Sequence, residues 1–371
     1  MLGAGMVGQA MAVDLAKEHE VTAFDISEAG LSKLKSRDSS IHTVVANLQQ
    51  YSLYPAWFGH FDLLVTAVPG FMGHDTLKAA IHCGKPIADI SFFPENSLDL
   101  HELAKQFNCT VITDCGVAPG MSNYIIGRYD ASMQIDAFEI YVGGLPEIRK
   151  KPFEYKAPFS PIDVIEEYTR PARFMENGVI VTQPALTERE WMNFDGIGTL
   201  EAFNTDGLRS LLFTMAHVRN QKEKTLRYPG HVELIIALKE GGFFDHEPIQ
   251  IGDTQISPIE FSSKILFGQW KLGEEERELT VMKVILFGQE NGSPKKITYS
   301  LLDRYDPATK VSSMSRTTGY TCTATANLLA KGMFTEKGVF PPELVGKDKN
   351  CFDFVINYLR ERGVIWHKNE E

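Results

Sequence analysis

Cysteine is scarce in this chain. Its 371 residues contain five, Cys83, Cys109, Cys115, Cys322 and Cys351. The number is odd and no CxxC pair occurs, so neither a zinc knuckle nor a disulfide framework is signalled. A reducing cytoplasm is the expected setting. No apolar run approaches the roughly 20 residues of a membrane helix, and no basic stretch precedes an apolar one as in a signal peptide. Positive charge is also in short supply: the formal net charge is −11. That speaks against a nucleic-acid backbone as partner. The ten histidines are scattered, so no metal cluster is expected. Internal repeats, low-complexity tracts and long linkers are absent too.

What is present begins almost at once. "GAGMVG" runs from Gly3 to Gly8, with only Met1 and Leu2 before it. The turn needs a strand ahead of it, so a few residues of that strand are expected to be missing from this sequence. Downstream the chain alternates. Helical spacing over 9–20, "VTAFD" ending at Asp25, helical 28–37 and β-rich 41–47 follow in turn. The strand-like "FDLLVTAVP", "KPIADIS" and "CTVITDCG" are separated by helical stretches. Such alternation implies βαβ units and a parallel sheet covered on both faces. Near Gly120 the texture changes. "FEIYVGG", "GVIVTQ", "HVELIIAL", "TVMKVILFGQ" and "KKITYSLL" read as strands of a mixed, largely antiparallel sheet, and 317–334 reads as a helix folding back.

The expected fold is therefore α/β. A Rossmann-type doubly wound parallel sheet occupies 1–120, completed by a returning helix near 316–335. An α+β domain for substrate binding and association occupies 121–315. Residues 336–371 form a C-terminal extension with no assigned role. Exposed edges on long strands such as 280–289 lead to an expected homodimer or higher homo-oligomer.

The glycine motif carries a physical rationale. Gly3 permits the tight turn, Gly5 lets backbone approach a pyrophosphate, and Gly8 allows close helix packing. Met6 and Val7 open the helix whose N-terminus faces the phosphates. Asp25, at the end of the next strand, suits ribose hydroxyls and repels a 2′-phosphate, so NAD is the expected cofactor. Ligands sit outside the carboxyl ends of parallel strands. Those ends are "AVPGFMG", with Val68 and Pro69, "DISFFPEN" and "DCGVAPGMSN".

In these stretches, and in "YVGGLP", "EEYTRPAR", "EAFNTDGLRS", "TLRYPGHVE" and "SSMSRTTG", the chain resembles the saccharopine dehydrogenase family. The likeness runs from about Gly3 to Asn327 and lies nearest the family's NAD-linked lysine 6-dehydrogenases. It implies oxidative deamination of the ε-amino group of L-lysine to 2-aminoadipate 6-semialdehyde, which cyclises to piperideine-6-carboxylate, with release of ammonia. Two alternatives stay open. One is a saccharopine reductase or carboxynorspermidine synthase-like reductase, and the other is a non-catalytic NAD-binding regulator.

The implied chemistry names further candidates. A planar guanidinium suits the substrate carboxylate, and Arg209, Arg227 and Arg316 are available. Asp89, Asp114 and Asp206 are candidates for the α-ammonium, with Asp89 placed among the catalytic groups. His231 is the expected base, because imidazole titrates near neutrality. Tyr228 is expected to shape the pocket or donate a hydrogen bond. Pro119 and Gly120 should bring backbone close to the nicotinamide, with Asn123 on the helix that follows.

Overall fold

Leu2 alone represents the strand ahead of the glycine turn. It bridges Phe24 on one side and Thr66 on the other, both in parallel. The computed structural model describes residues 1–157, 161–273 and 276–371 of the chain. Strand His42–Val45 pairs Thr22–Asp25 beyond Phe24. Leu64–Thr66, Ile87–Asp89 and Thr110–Ile112 continue the sheet beyond Thr66. Strand Gly338–Phe340 closes it, parallel to Thr110–Ile112. The order is that of a doubly wound sheet reversing at Leu2, and a ligand crevice forms at such a reversal.

Both faces are covered. Met11, Ala12, Tyr124, Ile125, Ala324 and Leu328 pack on one side. Tyr54, Phe58, Leu77, Ala80 and Ile81 pack on the other. That explains the unbroken apolar character of strands such as Leu64–Thr66. The first helix, Met6–Leu15, packs against the long helix Ser313–Ala330. The contact is close at Gly319, where a Cβ would lie 3.0 Å from Met11 Cγ.

The second sheet has nine strands among the described residues. Its main path runs Trp366–Glu370, Ser293–Arg304, Glu278–Glu290, Gln134–Pro146, Asn220–Arg227, Gly198–Asn204 and Glu190–Phe194. Ala172–Glu176 and Val179–Gln183 branch from it. The pairing of Gln134–Pro146 with Asn220–Arg227 is parallel, and the other pairings are antiparallel. The second domain is thus α+β with a mixed sheet. Residues 336–371 contribute to both sheets. Besides Gly338–Phe340 and Trp366–Glu370 they form the helix Lys349–Glu361, which packs on Ser313–Ala330.

Two sequence expectations are corrected. "HVELIIAL" is a helix, His231–Glu240, not a strand. Gly230 precedes it at φ 92°, and His231, Val232 and Ile235 bury one helical face. Apolar residues at that spacing also alternate well enough to resemble a strand. Strand Glu278–Glu290 has no open edge, since Gln134–Pro146 and Ser293–Arg304 flank it. It gives no ground for association. Among the described residues no helix is long and apolar enough to cross a membrane. None of their His, Cys, Asp and Glu side chains form a group of three able to hold a metal ion.

Candidate active site

A cavity of about 750 Å³ opens where the first sheet reverses and continues to the face of the second. The glycine turn forms its nucleotide end. Gly3 has φ 97°, and a Cβ there would stand 2.3 Å from Ala67 O. A Cβ on Gly8 would stand 2.4 Å from Gly3 O, whereas Gly5 meets nothing within 4 Å. Gly3 and Gly8 are closed to any side chain by backbone, and Gly5 leaves open space for a ligand. A dinucleotide therefore fits this cradle, held by Gly3, Gly5, Met6, Val7 and Gly8, with Val68, Pro69 and Pro119 across the cavity. Asp25 lines the same end. The Ala4 N–H donates to its Oδ2 at 2.6 Å and the Ser27 N–H to its Oδ1 at 2.7 Å. Two donors to one carboxylate fix its direction.

The opposite end comes from the second domain. Successive side chains of a strand point to opposite faces. On Asn220–Arg227 that rule sends Glu223, Thr225 and Arg227 to the cavity. Leu226 and Tyr228 go to a separate apolar cluster. Arg227 is buried and pairs Glu167 Oε2 at 2.9 Å. Its Nε donates to the Tyr168 hydroxyl at 3.0 Å, and that hydroxyl donates to His231 Nε2 at 2.9 Å. His231 Nδ1 in turn donates to Phe153 O at 2.9 Å. Burial pushes the Glu167 carboxyl upward against the pull of Arg227.

Further acids of the wall are each held by an arginine. Asp206 takes 2.9 Å bonds from Arg173 Nε and Nη2. Asp114 takes Arg209 Nε at 3.0 and 3.1 Å on its two oxygens. Glu166 pairs Arg170. Glu223 differs. Its Oε2 accepts from Thr205 Oγ1 at 2.7 Å and from the Gly207 N–H at 3.1 Å. No arginine, lysine or histidine pairs with it among the described residues. Burial raises its carboxyl to about 8, and neighbouring Glu167 and Asp206 add to the rise.

These geometries coincide with a match to known sequence families. Residues 1–112 match the saccharopine dehydrogenase NADP binding domain, and residues 114–364 match the saccharopine dehydrogenase C-terminal domain. The chain belongs to the saccharopine dehydrogenase family. Among curated relatives, the saccharopine dehydrogenase [NADP(+), L-glutamate-forming] of Schizosaccharomyces pombe is 28% identical over 196 residues, 50% of this chain and 44% of that protein. The α-aminoadipic semialdehyde synthase of Arabidopsis thaliana is 26% identical over 208 residues, 52% of this chain and 20% of that protein. The match thus spans under half the length of either relative. Apo saccharopine dehydrogenase (L-Glu forming) from Saccharomyces cerevisiae shares the fold, with TM-score 0.80 and 17% identity over 100% of this chain and 98% of that one. So does homospermidine synthase from Legionella pneumophila, solved in complex with NAD, with TM-score 0.68 and 14% identity over 100% and 90% of the two chains.

Within this family member several sequence expectations are corrected. His231 does not reach the cavity. It is 2% exposed, both ring nitrogens are bonded, and burial with the nearby Arg227 charge lowers it to about 3. Tyr228 points to the other sheet face, where its hydroxyl donates to Pro146 O at 3.0 Å. Asp89 is fully buried, accepting from Thr66 Oγ1 at 2.5 Å and the Ser91 N–H at 3.1 Å, and its neighbour Ile90 lines the cavity instead. Arg316 binds the carbonyls of Arg304 and Arg362, and Asp303 at 3.5 Å, away from the site. Asn123 is fully buried and does not line the cavity, donating instead to Glu343 Oε2 at 2.9 Å. Arg209 stands behind Asp114 and stacks on Phe92, its guanidinium 4.7 Å from the ring centre. Gly120 stays off the wall. It has φ 141°, and a Cβ would lie 1.8 Å from Gly116 O, so it shapes the turn that presents Pro119. Of the substrate candidates, Arg227, Asp206 and Asp114 do reach the cavity.

Proposed function

We propose that this protein oxidises L-lysine at its ε-carbon with NAD, releasing ammonia and 2-aminoadipate 6-semialdehyde. The observation that carries this reading is the charge of the substrate end. Four carboxylates, Asp114, Glu166, Glu167 and Asp206, are each matched by an arginine, and Glu223 is the remainder. A wall with one acid in excess suits a ligand of net charge +1. Lysine, with two ammonium groups and one carboxylate, carries that charge. Saccharopine, with two ammonium groups and three carboxylates, carries the opposite one.

The reaction balances as lysine, NAD+ and water giving the semialdehyde, ammonium, NADH and a proton. The bound nicotinamide supplies the hydride acceptor. The protein must hold the amine in place, accept its proton and admit water to the iminium. The α-carboxylate can meet the outer N–H groups of Arg170, which lines the cavity beside its partner Glu166, and guanidinium groups suit carboxylates. Asp25 supports NAD over NADP, because its fixed carboxylate faces the ribose end and would repel a 2′-phosphate.

A reductive reading on polyamines gains support from the same acidic excess, since a polyamine carries no carboxylate. Assays that follow NADH and NADPH separate these readings. The substrates are L-lysine, saccharopine and spermidine-type amines at mildly alkaline pH. Lysine-dependent NADH formation with stoichiometric ammonia is expected. Turnover of saccharopine or a polyamine with none of lysine would overturn the proposal.

A further inference from the structure

The geometry points to Glu223 as the group that receives the substrate's reacting amine and takes its proton. This inference rests on the amine-oxidising reading above and names the residue that performs its first step. Three observations meet at this side chain.

The first is position. Glu223 lies on the strand face that also presents Thr225 and Arg227, and it lines the cavity while being 6% exposed. Its Oε2 is fixed by Thr205 and the Gly207 N–H, and its Oε1 has no hydrogen-bond partner among the described residues. Among the described residues, that oxygen is not one of the fully enclosed, unpartnered side-chain atoms. It is therefore open to a ligand donor.

The second is the absence of a partner. A buried carboxylate is costly unless paired. The groups facing Glu223 are acids or hydroxyls: Thr205 and Asp206 beside it, Thr225 along its own strand and Glu167 across the cavity. Arg227 shares the strand face but is committed to Glu167. An incoming ammonium is the missing cation. The other wall acids already have arginine partners, so an incoming ammonium is not their missing cation.

The third is the surrounding backbone. A Cβ on Gly207 would stand 2.4 Å from the Glu223 carboxyl carbon. The turn thus has room for this carboxyl only because residue 207 lacks a side chain.

The chemistry follows. The ε-ammonium of free lysine loses its proton near pH 10.4, and a neutral amine is required before hydride can leave Cε. Glu223, raised by burial to about 8, is closer to the amine in proton affinity than an ordinary carboxylate, as a general base must be. The N–H proton passes to the carboxylate. The freed lone pair forms the C=N bond as the C–H electron pair departs with the hydride. Water then adds to that carbon and ammonia leaves.

The test uses the full-length protein and E223Q, with G207A as a second variant. NADH binding, followed by its fluorescence, should be unchanged in both, which shows intact folding at the nucleotide end. For E223Q, kcat with L-lysine at pH 8.5 should fall by about 10²- to 10⁴-fold, and lysine should bind the NADH complex at least about tenfold more weakly. The acidic limb of the wild-type kcat/KM profile should vanish from any residual activity. G207A, with residue 223 intact, should show a smaller loss in the same direction. Wild-type kcat and an unchanged acidic limb in E223Q would overturn the assignment while leaving lysine oxidation standing. Should the wild type turn over a different amine, the same comparison on that amine decides Glu223 separately from the lysine reading. A wild type that binds and turns over no amine overturns both.

Discussion

Gly207 and Glu223 occupy one space between them. The carboxyl of Glu223 accepts from the Gly207 N–H at 3.1 Å, in the volume a Cβ on residue 207 would fill. Enlarging residue 207 therefore moves the acid. Beyond its effect on turnover, G207A should raise the pH at which the proposed amine oxidation reaches half its maximum or remove that limb, because the displaced carboxyl loses its donor. A pH–rate profile of the purified variant checks this.

Asp25 presents at the nucleotide end a carboxylate held by two backbone donors, and the proposed preference for NAD rests on it. The double replacement of Asp25 by Ser and Ile26 by Arg removes the repulsion and adds a cation at the exposed position beside it. The ratio of kcat/KM for NADP to that for NAD should rise by about tenfold or more, equivalent to about 1.4 kcal/mol. Steady-state kinetics with both nucleotides provide the reading. An unchanged ratio would remove Asp25 from the discrimination.

His231 is neutral in the folded protein, with its ring lowered to about 3, and ionises near 6.5 when unfolded. The unfolded chain binds the extra proton between those values. Its contribution is therefore complete above about pH 6.5 and is lost as pH falls toward 3. H231Q should unfold at lower urea at pH 7 and lose less stability between pH 7 and 5 than the wild type. The position of its kinetic pH limb should not move. Urea melts and a rate profile measure the two effects, and a shifted limb would return His231 to the chemistry.

Asp89 behaves in the opposite sense. Burial raises it to about 7, above its unfolded value near 3.8. The folded state binds the extra proton between those values, so this contribution is full below about pH 3.8 and is lost as pH rises to 7. D89N, which keeps the shape without the charge, should retain turnover. It should also gain stability relative to the wild type as pH rises from 5 to 8, on the order of 1–3 kcal/mol. Denaturant titrations across that range give the answer.

Asp14 joins the first helix to the C-terminal segment. It accepts from Thr323 and the Tyr358 hydroxyl, each at 2.7 Å, and from Arg362 Nε at 2.7 and 2.8 Å. These partners hold its carboxyl below the usual range against the cost of burial. R362A removes the buried cation and leaves Asp14 only the more exposed Lys17, 3.0 Å from its Oδ1, and the expected loss is about 3 kcal/mol. Equilibrium unfolding in urea measures it.

The architecture was largely legible because strand–helix alternation and glycine spacing are local signals. The helix 28–37 and the parallel sheet follow from periodicity alone. The nucleotide end was legible for the same reason, since Gly3, Gly5, Gly8 and Asp25 act through backbone geometry and strand ends. The substrate end was not. Arg227 and Tyr228 are neighbours in sequence and face opposite sides of one sheet, and which side meets the cavity depends on packing with distant strands. "NQKEKTLR" looks like a solvated edge. It is instead an interior strand between Gln134–Pro146 and Gly198–Asn204, so Glu223 escaped notice. Glu166 and Glu167 sat within a motif used only for resemblance. His231 was favoured for its intrinsic titration range, which burial then removed.

The strand Gly338–Phe340 has a consequence for how the molecule is made. Ribosomal synthesis delivers the other strands of the first sheet within residues 1–112, yet the partner of Thr110–Ile112 emerges only after the whole second sheet except its edge strand Trp366–Glu370. Until then a nascent chain displays an apolar parallel edge, the kind that invites wrong pairing. A fragment ending near residue 112 carries the glycine turn and Asp25 but keeps that edge open. The nucleotide half is therefore an unfinished module when excised, and its sheet closes only after most of the second sheet has been made.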